Sequence, residues 1–370
     1  MIRPFESRYN KIKNFYVRYE RRITPVAFFV GFIWDSITLQ EIDFWLQNIV
    51  FIVYLSLAAS SITFINAYES GRVKGKIADK FSNFMPIVMQ FVFGGLFSAF
   101  LVFYSRSTSV LASWPFLLVI VGLFVGNEFF RKRYQRLTFQ ISIFFVTLFF
   151  YSVFALPIVV GSIGTLVFIG SGIVALICVA AVLFGISKII PGRIAQARRS
   201  LTLSIGAIYA VFNVFYFTNL IPPIPLSVAD SGIFQSLEPF KTGEYIYRVR
   251  YESQPWYMRF RDVYDTVRIT PGQPLYSYSA IFAPTKINTT IYHRWSYFDE
   301  IKGDWVQMSR IPFSIAGGRE NGYRGYTIKY NVKPGKWRVD VINERGQILG
   351  RKTFNVVNAD VLPELETAFR

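Results

Sequence analysis

The stretch FFRKRYQRLTF, residues 129–139, indicates on which side of a membrane each part of this chain lies. It places four cations, Arg131, Lys132, Arg133 and Arg136, between two long apolar runs. Positive side chains beside a membrane span stay on the cytoplasmic side, because they resist translocation and favour the anionic inner leaflet. The stretch therefore predicts a cytoplasmic loop at the membrane interface, between two transmembrane helices.

Composition divides the chain into two parts. Of its 370 residues, 52% are hydrophobic and 17% are charged, against about 25% charged in an average soluble domain. The charge-poor stretches lie almost entirely before residue 223, and the later third has the composition of a soluble protein. A membrane part followed by a soluble domain is the expected organisation.

The membrane part contains runs that are long enough to cross a bilayer. A helix needs about 20 mostly apolar residues to span about 30 Å of hydrocarbon. Seven runs meet this requirement, and they lie at 23–40, 44–66, 83–104, 113–130, 138–159, 163–186 and 201–222. Asp35 interrupts the first run, so residues 23–40 form either a span or a tilted or re-entrant helix. The sequence thus predicts a seven-helix transmembrane bundle over residues 23–222.

The cations alternate between the two ends of these spans. They concentrate in the basic arm at residues 1–22 and in every second loop, which are the loops that contain Arg72, Lys74, Lys76 and Lys80, then Arg131 to Arg136, then Lys188, Arg193, Arg198 and Arg199. The intervening loops contain Arg106 as their one cation, and the first of them is acidic. This pattern predicts a cytoplasmic N-terminus and an extracytoplasmic C-terminal region. It also argues against nucleic acid as the partner of the positive charge.

Ionisable side chains deep in the bilayer mark transporters and pumps, and the predicted spans contain almost none. Glu128 lies beside the cationic stretch and is expected to pair with a cation there, although a gate or proton site is the alternative. Gln90 and Asn213 either line a path or hydrogen bond across packed helices. The bundle is therefore expected to be an anchor, with a channel or transporter for a small solute as the alternative.

Beyond the bundle, hydrophobic periodicity changes to the period of a strand. Residues 223–243 contain several prolines and predict a stiff linker. In KWRVDVI, Trp337, Val339 and Val341 alternate with Lys336, Arg338 and Asp340, which indicates a strand with one buried face. Further strands are predicted at 244–251, 276–282, 287–297, 305–313, 326–330 and 348–357. They predict an all-β, immunoglobulin-like sandwich over residues 244–358, followed by a C-terminal tail at 359–370.

The segment SQPWYMRFRDV, residues 253–263, combines aromatic and basic side chains soon after the last span. Trp256, Tyr257 and Phe260 are candidates for contact with lipid headgroups at the membrane interface. A helix packed on the sandwich is the alternative.

Three quoted stretches carry a resemblance to a known family. IYHRWSYF, AGGRENGYRGYTIKY and PGKWRVDVINERGQILGRKTF together resemble the C-terminal domain of bacterial membrane proteins catalogued as domain of unknown function 2914, over residues 285–357. The resemblance implies a protein of the bacterial envelope and therefore of the inner membrane. It implies no activity, so it assigns no catalytic residue.

The residues offer little for catalysis, metal binding or a cofactor. His293 is the one histidine, and it shares a predicted strand face with Ile291 and Trp295, so we expect it to be packed and hydrogen bonded. Asp299, Glu300 and Asp304 surround a glycine in a polar loop and are expected to be solvated turn residues. The single cysteine, Cys178, lies within an apolar run. We therefore expect a non-enzymatic protein without a cofactor.

Binding is the expected role of the outer domain. Arg319 and Arg324 have planar guanidinium groups that suit carboxylates or phosphates, and Tyr323 with Trp295 or Trp305 offers stacking for a sugar ring or peptide. A structural role for these residues is the alternative, because tryptophan and tyrosine at strand spacing are usually part of a core. The expectation is a scaffold or accessory subunit that presents its sandwich to an envelope protein partner or glycan.

Overall fold

The computed structural model describes residues 44–106, 110–129, 136–222, 225–242, 245–252, 265–283, 287–316, 322–361 and 363–370. Several predictions therefore lie outside the described residues, namely those for the arm 1–22, the span 23–40, Arg131, Lys132, Arg133, Trp256, Tyr257, Phe260 and Arg319. Within the described ranges, a helical N-terminal region is followed by a β-rich C-terminal region.

The helical region comprises α1 (Phe44–Glu69), α2 (Lys76–Arg106), α3 (Val110–Phe129), α4 (Leu137–Val160), α5 (Thr165–Ile189) and α6 (Pro191–Phe217). Five stretches are long and apolar enough to cross a membrane, namely Gln47–Glu69, Lys76–Ser105, Leu137–Val160, Thr165–Ile189 and Pro191–Phe217. The predicted runs from 44–66 to 201–222 each fall on one of the six helices. The run 113–130 falls on α3, where the apolar stretch Trp114–Gly126 is shorter. The helical region is consistent with a membrane protein.

Helix α4 lies at the centre of this region, packed between α5, α6, α1 and α2. In the apolar stretch of α4, 67% of the residues are buried inside the protein, whereas in the apolar stretch of α6 the share is 17%. The α4 core is aromatic, and Phe149 stacks on Phe212 of α6 with the ring centroids 4.8 Å apart. Large apolar side chains such as Leu166 and Leu203 are exposed on the outer helices. A hydrocarbon environment accounts for that exposure, because water would oppose it.

The two ends of the helical region make different contacts. At one end, Arg193 at the start of α6 forms an ion pair with Glu69 at the end of α1. At the opposite end, Arg345 of the β-rich region donates a hydrogen bond to Thr165 Oγ1, at 3.0 Å, at the start of α5. The β-rich region therefore contacts the end of the helices that is remote from Arg193.

The β-rich region comprises β1 (Ser227–Phe234), β2 (Ser236–Thr242), β3 (Tyr245–Glu252), β4 (Asp265–Ile269), β5 (Leu275–Phe282), β6 (Asn288–Asp299), β7 (Asp304–Ala316), β8 (Tyr323–Lys329), β9 (Gly335–Ile342), β10 (Ile348–Asn358) and β11 (Leu365–Phe369). All seven predicted strands are confirmed, as β3 and β5 to β10. They form a five-stranded sheet in the order β4-β10-β9-β6-β7 and two three-stranded sheets, β1-β5-β8 and β11-β3-β2.

The sheet β1-β5-β8 lies between the other two sheets. Leu275 and Ile281 of β5 belong to apolar clusters shared with the five-stranded sheet, while Tyr278 and Ala280 pack in a cluster with β2 and β3. Successive side chains of a strand point to opposite faces, so β5 is buried on both sides. The pattern of YSYSAIF instead predicted that only the face with Tyr278 and Ala280 would be buried.

Two predicted boundaries differ from the structure. Residues 223–243, expected to form a linker, contain β1 and β2, and residues 359–370, expected to form a tail, contain β11, which pairs with β3. The prolines suggested a spacer, but Pro222 and Pro225 lie before β1 begins at Ser227 and so do not interrupt it. Pro239 lies in β2, an edge strand, where a missing N–H leaves no internal ladder bond unmade.

Candidate functional site

The outer face of the five-stranded sheet has a buried carboxylate surrounded by arginines. Asp340 of β9 lies directly opposite Arg294 of β6 and Arg351 of β10 in the strand register. Arg294 Nη2 donates to Asp340 Oδ2 at 2.7 Å, and Arg351 Nε donates to Oδ1 at 2.5 Å. The guanidinium groups cover the carboxylate, whose residue is 0% exposed. Paired charges on adjacent strands therefore fix both arginines on this face.

Arg338 extends the cluster along β9. Its Nε lies 3.5 Å from Asp340 Oδ2, and its guanidinium carbon lies 4.6 Å from the ring centroid of Trp305 in β7. Stacking on an aromatic ring holds a guanidinium group flat against the sheet while its edge remains available for hydrogen bonds. Arg338, Trp305 and Asp340 thus form one connected surface.

Two further cations lie on the same face. Arg310 of β7 is paired with Arg294, stacks on Tyr292 at 3.9 Å, and donates to the carbonyl oxygen of Glu344 at 3.0 Å. Lys336 of β9 lies 5.5 Å from the ring centroid of Phe298. We call the surface formed by Arg294, Arg310, Lys336, Arg338, Arg351, Trp305 and Asp340 the cationic face. Its positive charges exceed the single carboxylate at its centre.

The carboxylate remains ionised at ordinary pH. Burial alone raises the pKa of Asp340, but the hydrogen bonds and charges of Arg351, Arg294 and Arg338 more than offset this effect and hold the pKa below its ordinary value of 3.8. The arginines are therefore held by a charged acceptor, and their remaining N–H groups can bind an anion in two-pronged fashion.

The structure separates the binding residues that were predicted together. Trp295 is 0% exposed and packs edge-on against Trp337, so it belongs to the core and cannot stack on a ligand. Tyr323 packs on an apolar cluster, and its neighbour Arg324 points to the other side of β8. Trp305 lies on the cationic face. Among the described members of the predicted set, Trp305 contributes to the cationic face and Trp295, Tyr323 and Arg324 do not, while Arg319 lies outside the described residues.

Sequence reasoning missed most of the cationic face, although one signal was present. The alternation in KWRVDVI placed Lys336, Arg338 and Asp340 on the face opposite Trp337, and the structure confirms this placement. Arg294 and Arg351 are remote in sequence and join Asp340 only through the order of the strands. The pairing of β9 with both β6 and β10 cannot be read from the sequence pattern, so the cluster around Asp340 could not be predicted.

His293 is enclosed in the core, as expected. Its Nε2 lies 2.9 Å from Ser279 Oγ and its Nδ1 lies 2.9 Å from Thr327 Oγ1. The histidine is 0% exposed, and burial lowers its pKa from 6.5 to about 3. Both ring nitrogens are therefore occupied by hydroxyl groups of the β1-β5-β8 sheet, and the neutral imidazole joins β6 of the five-stranded sheet to β5 and β8.

The acidic residues at the turn between β6 and β7 accept hydrogen bonds from backbone N–H groups. Asp299 Oδ1 accepts hydrogen bonds from the backbone N–H groups of Ile301 and Lys302, at 3.0 and 3.2 Å. Asp304 Oδ1 accepts from the N–H of Trp305 at 2.7 Å. These exposed contacts fit the expected turn role.

The residues proposed to line a path in the bundle lie on different helices. Gln90 is half-buried on α2, and Asn213 donates to the Tyr209 carbonyl of its own helix, α6, at 2.8 Å. The side chain of Glu128 is outside the described set, and Arg136 is exposed at the start of α4. A different amide pair crosses the helices: Asn66 Nδ2 donates to Gln140 Oε1 at 2.6 Å, and both residues are 0% exposed.

Comparison with known proteins gives one family match. No curated protein matches the chain. Among solved structures, the one of Pseudomonas fluorescens alkylpurine DNA glycosylase AlkC bound to DNA containing an abasic site analog aligns with 84% of this chain and 99% of its own, at 11% identity and a TM-score of 0.21, which is too low to indicate a shared fold. Residues 288–356 match the family model described as "Protein of unknown function (DUF2914)". This match covers β6 to β9 and most of β10, and it confirms that the C-terminal region carries the domain that the sequence resembles.

Proposed function

We propose that this protein is a non-enzymatic protein of the bacterial inner membrane that holds its β-rich region outside the cytoplasm, where the cationic face binds an anionic glycan of the envelope. The proposal includes seven spans, the first at 23–40, and an immunoglobulin-like relationship between the two sheets that enclose His293. It includes no cofactor and no nucleic acid.

The arrangement of Arg294, Arg338 and Arg351 around Asp340 is the observation that carries the binding proposal. A flexible arginine loses side-chain entropy when it binds a ligand, whereas an arginine already held by a buried carboxylate loses less. Arg338 and Trp305 add a stacked aromatic surface beside the charges. A sugar ring that bears carboxylate or phosphate groups matches both parts of this surface, which is why we favour a glycan over a protein partner.

The positions of charge on the helices support the proposed orientation. Arg193 and Glu69 mark one end, where Arg72 and Lys74 lie in the loop after α1 and Lys188 lies in the last turn of α5. The β-rich region contacts the other end through Arg345. Because cationic loops stay in the cytoplasm, the β-rich region is assigned to the outside.

Binding of charged glycan probes by the full-length protein in detergent micelles tests the proposal. Polygalacturonate is the anionic probe and dextran the neutral one, each measured at low and high salt. We expect the wild type to retain polygalacturonate and not dextran. The double variant Arg310→Gln, Arg338→Gln should weaken binding about tenfold or more, because each lost hydrogen bond to a charged group contributes roughly 1.5 to 3 kcal/mol.

Lys329→Gln, compared with the single variants Arg310→Gln and Arg338→Gln, is the control for loss of one positive charge, because Lys329 lies on β8 in another sheet. Trp305→Ala should also weaken glycan binding. Equal binding of polyglutamate that is insensitive to Trp305→Ala would instead support an acidic protein partner. Failure to bind polygalacturonate, or equal losses in the Lys329 and arginine variants, would overturn the glycan proposal.

Protease treatment of intact spheroplasts tests the orientation separately. The β-rich region should be cleaved in intact cells, while the loop between α1 and α2 should be protected until the cells are lysed. Protection of the C-terminal region in intact spheroplasts would contradict the assigned orientation.

A further inference from the structure

A groove lined by basic, hydroxyl and apolar side chains lies between α4 and α6 at the cationic end of the helices. It has a volume of about 600 Å³. Its polar lining consists mainly of Arg136, Thr138, Ser142, Arg193, Gln196 and Ser200. Thr138 Oγ1 and Ser200 Oγ lie 2.8 Å apart, so the two helices meet through hydroxyl groups at this point.

The polar lining follows one face of each helix. Arg193, Gln196 and Ser200 are separated by three and four residues on α6, and Thr138 and Ser142 by four residues on α4, which places each set on one side of its helix. Below the groove, the exposed surface of α6 becomes apolar, with Leu203 and Val211 facing outward. A molecule that fits this surface has an anionic head with hydrogen-bond acceptors and apolar chains.

We propose that this groove binds the phosphate headgroup of an anionic phospholipid, with the acyl chains lying along the apolar face of α6. The two arginines bind the phosphate oxygens, and Ser142 donates a hydrogen bond to them. The Ser200 hydroxyl donates to the Ala197 carbonyl at 2.9 Å and accepts from Thr138, which holds the two helices together beside the phosphate. Basic pockets between spans bind lipid headgroups in this manner. The proposal requires only that the helices cross the membrane, and it is independent of the cationic face and of the ligand proposed for it.

A second groove at the same end provides a contrast. It lies between α1 and α5, has a volume of about 550 Å³, and is lined largely by apolar residues, with Ser60 and Thr63 as its hydroxyl groups. It contains no arginine or lysine in its lining. Grooves of similar size at one end of the described helices thus differ in charge, so only the first selects an anionic headgroup.

Among the described residues, one carboxylate forms an ion pair with an arginine of the groove. Glu69 forms an ion pair with Arg193, and both side chains are partly exposed, at 33% and 27%. A partly exposed ion pair of this kind contributes about 1 kcal/mol or less, so a phosphate can compete with Glu69 for Arg193. Arg136 is exposed at the start of α4. A phosphate therefore meets one arginine from each helix.

Native mass spectrometry of the full-length protein tests the site. The protein is equilibrated in micelles with equal amounts of phosphatidylglycerol and phosphatidylcholine, and the ratio of retained lipids is measured. We expect phosphatidylglycerol to be enriched in the wild type. Arg136→Gln and Arg193→Gln should each reduce the enrichment about fivefold, which is the effect expected of one cation beside an anionic lipid.

Two variants serve as controls. Arg198→Gln removes an exposed cation of α6 that does not line the groove, and it should preserve the enrichment. Glu69→Gln removes the ion pair but leaves Arg193 in place, so the enrichment should persist or increase. A loss in Glu69→Gln equal to that in Arg193→Gln would show that the ion pair acts by supporting the fold, and it would overturn the proposal.

Arg193→Gln could disturb helix packing and so reduce lipid binding indirectly. Arg136 is exposed, so Arg136→Gln tests the loss of a cation from the groove without that effect. Free glycerol phosphate should not displace the lipid at equal concentration, since the acyl chains contribute to binding. Displacement by glycerol phosphate would show a site for free phosphate esters. Equal retention of both lipids by the wild type would also overturn the proposal.

Discussion

The guanidinium group of Arg345 lies 3.9 Å from the ring centroid of Tyr216, so the turn between β9 and β10 is in direct contact with the last turn of α6. Tyr216 in turn stacks on Phe168 of α5, with parallel rings 3.7 Å apart. Gln347 of the same turn donates to the Ile221 carbonyl at 2.8 Å. A cavity of about 80 Å³ lies beside these residues. The β-rich region is therefore held to the helices by contacts of this turn, and not by the connecting chain alone.

Replacing Arg345 should loosen this attachment. Arg345→Ala removes the stacking on Tyr216 and the hydrogen bond to Thr165, which together contribute about 1 to 2 kcal/mol. We expect faster amide exchange in the β9–β10 turn and at the end of α6, measured by mass spectrometry. Glu344→Gln is the control, because its side chain is exposed. Unchanged exchange in Arg345→Ala would contradict a role in attachment.

Asp340→Asn should destabilise the five-stranded sheet. Three arginines would then face one another without a buried anion, which costs roughly 3 to 5 kcal/mol. The folded-state pKa of Asp340 is lowered, so its stabilisation is complete above the unfolded value of 3.8 and is lost as the pH falls through the lower folded value. Amide exchange in β9 and β10 measures this loss. Asp360→Asn, at an exposed position, should have little effect.

His293 should make the stability of the β-rich region depend on pH in a higher range. The folded pKa of about 3 is below the unfolded value of 6.5, so the unfolded chain binds a proton that the folded chain does not. Stability therefore falls by about 1.4 kcal/mol for each pH unit as the pH decreases from 6.5 towards 3.

His293→Gln has no titrating group and should abolish that slope. Amide exchange in β6, compared between about pH 4.5 and 6.5, measures the difference in a range where Asp340 remains ionised. A slope that persists in the variant would assign the pH dependence to another group.

Gly172 permits close packing of α5, and alanine there should destabilise the bundle. A Cβ atom at this position would lie 2.6 Å from Tyr209 Cε2 and 3.0 Å from Phe149 Cε2, so both rings would have to move. Overpacking of this kind costs about 1 to 3 kcal/mol. Gly185→Ala on the same helix is the matched control, because a Cβ there meets no heavy atom within 4 Å. Thermal unfolding in detergent micelles should show a lower midpoint for Gly172→Ala alone.

Local patterns predicted much of the fold. Apolar length predicted the six described helices, and alternation predicted seven strands, because both signals are contained within single segments. Strands β1, β2, β4 and β11 were missed. Pro239 and the prolines before β1 resemble a spacer, and β4 and β11 are strands of five residues, too short for a clear alternation. The order of the sheet layers was also missed. Strand β5 is buried on both faces, but one of these faces contains the buried serines 277 and 279, which a hydrophobicity pattern treats as polar and therefore as exposed.

The candidate site was less accessible to prediction than the fold. Trp295 looked exposed enough to stack on a ligand, yet its neighbours in space are Trp337 and Phe354, which come from two later strands. Conversely, Asp340 looked like an ordinary surface carboxylate until β6 and β10 were placed on either side of it. Strand order, which one sequence does not contain, decides both assignments.

The pairing of β8 with β5 limits how this protein can be divided for study. The family match at 288–356 includes β8 but excludes β5, its hydrogen-bonded neighbour, as well as β1 and β4. An excised fragment with those ends would leave one strand without its sheet and would uncover the apolar surfaces of Trp295 and Trp337, which invites aggregation. The smallest piece that keeps every described strand runs from before Ser227 to Arg370, more than twice the length of the matched segment.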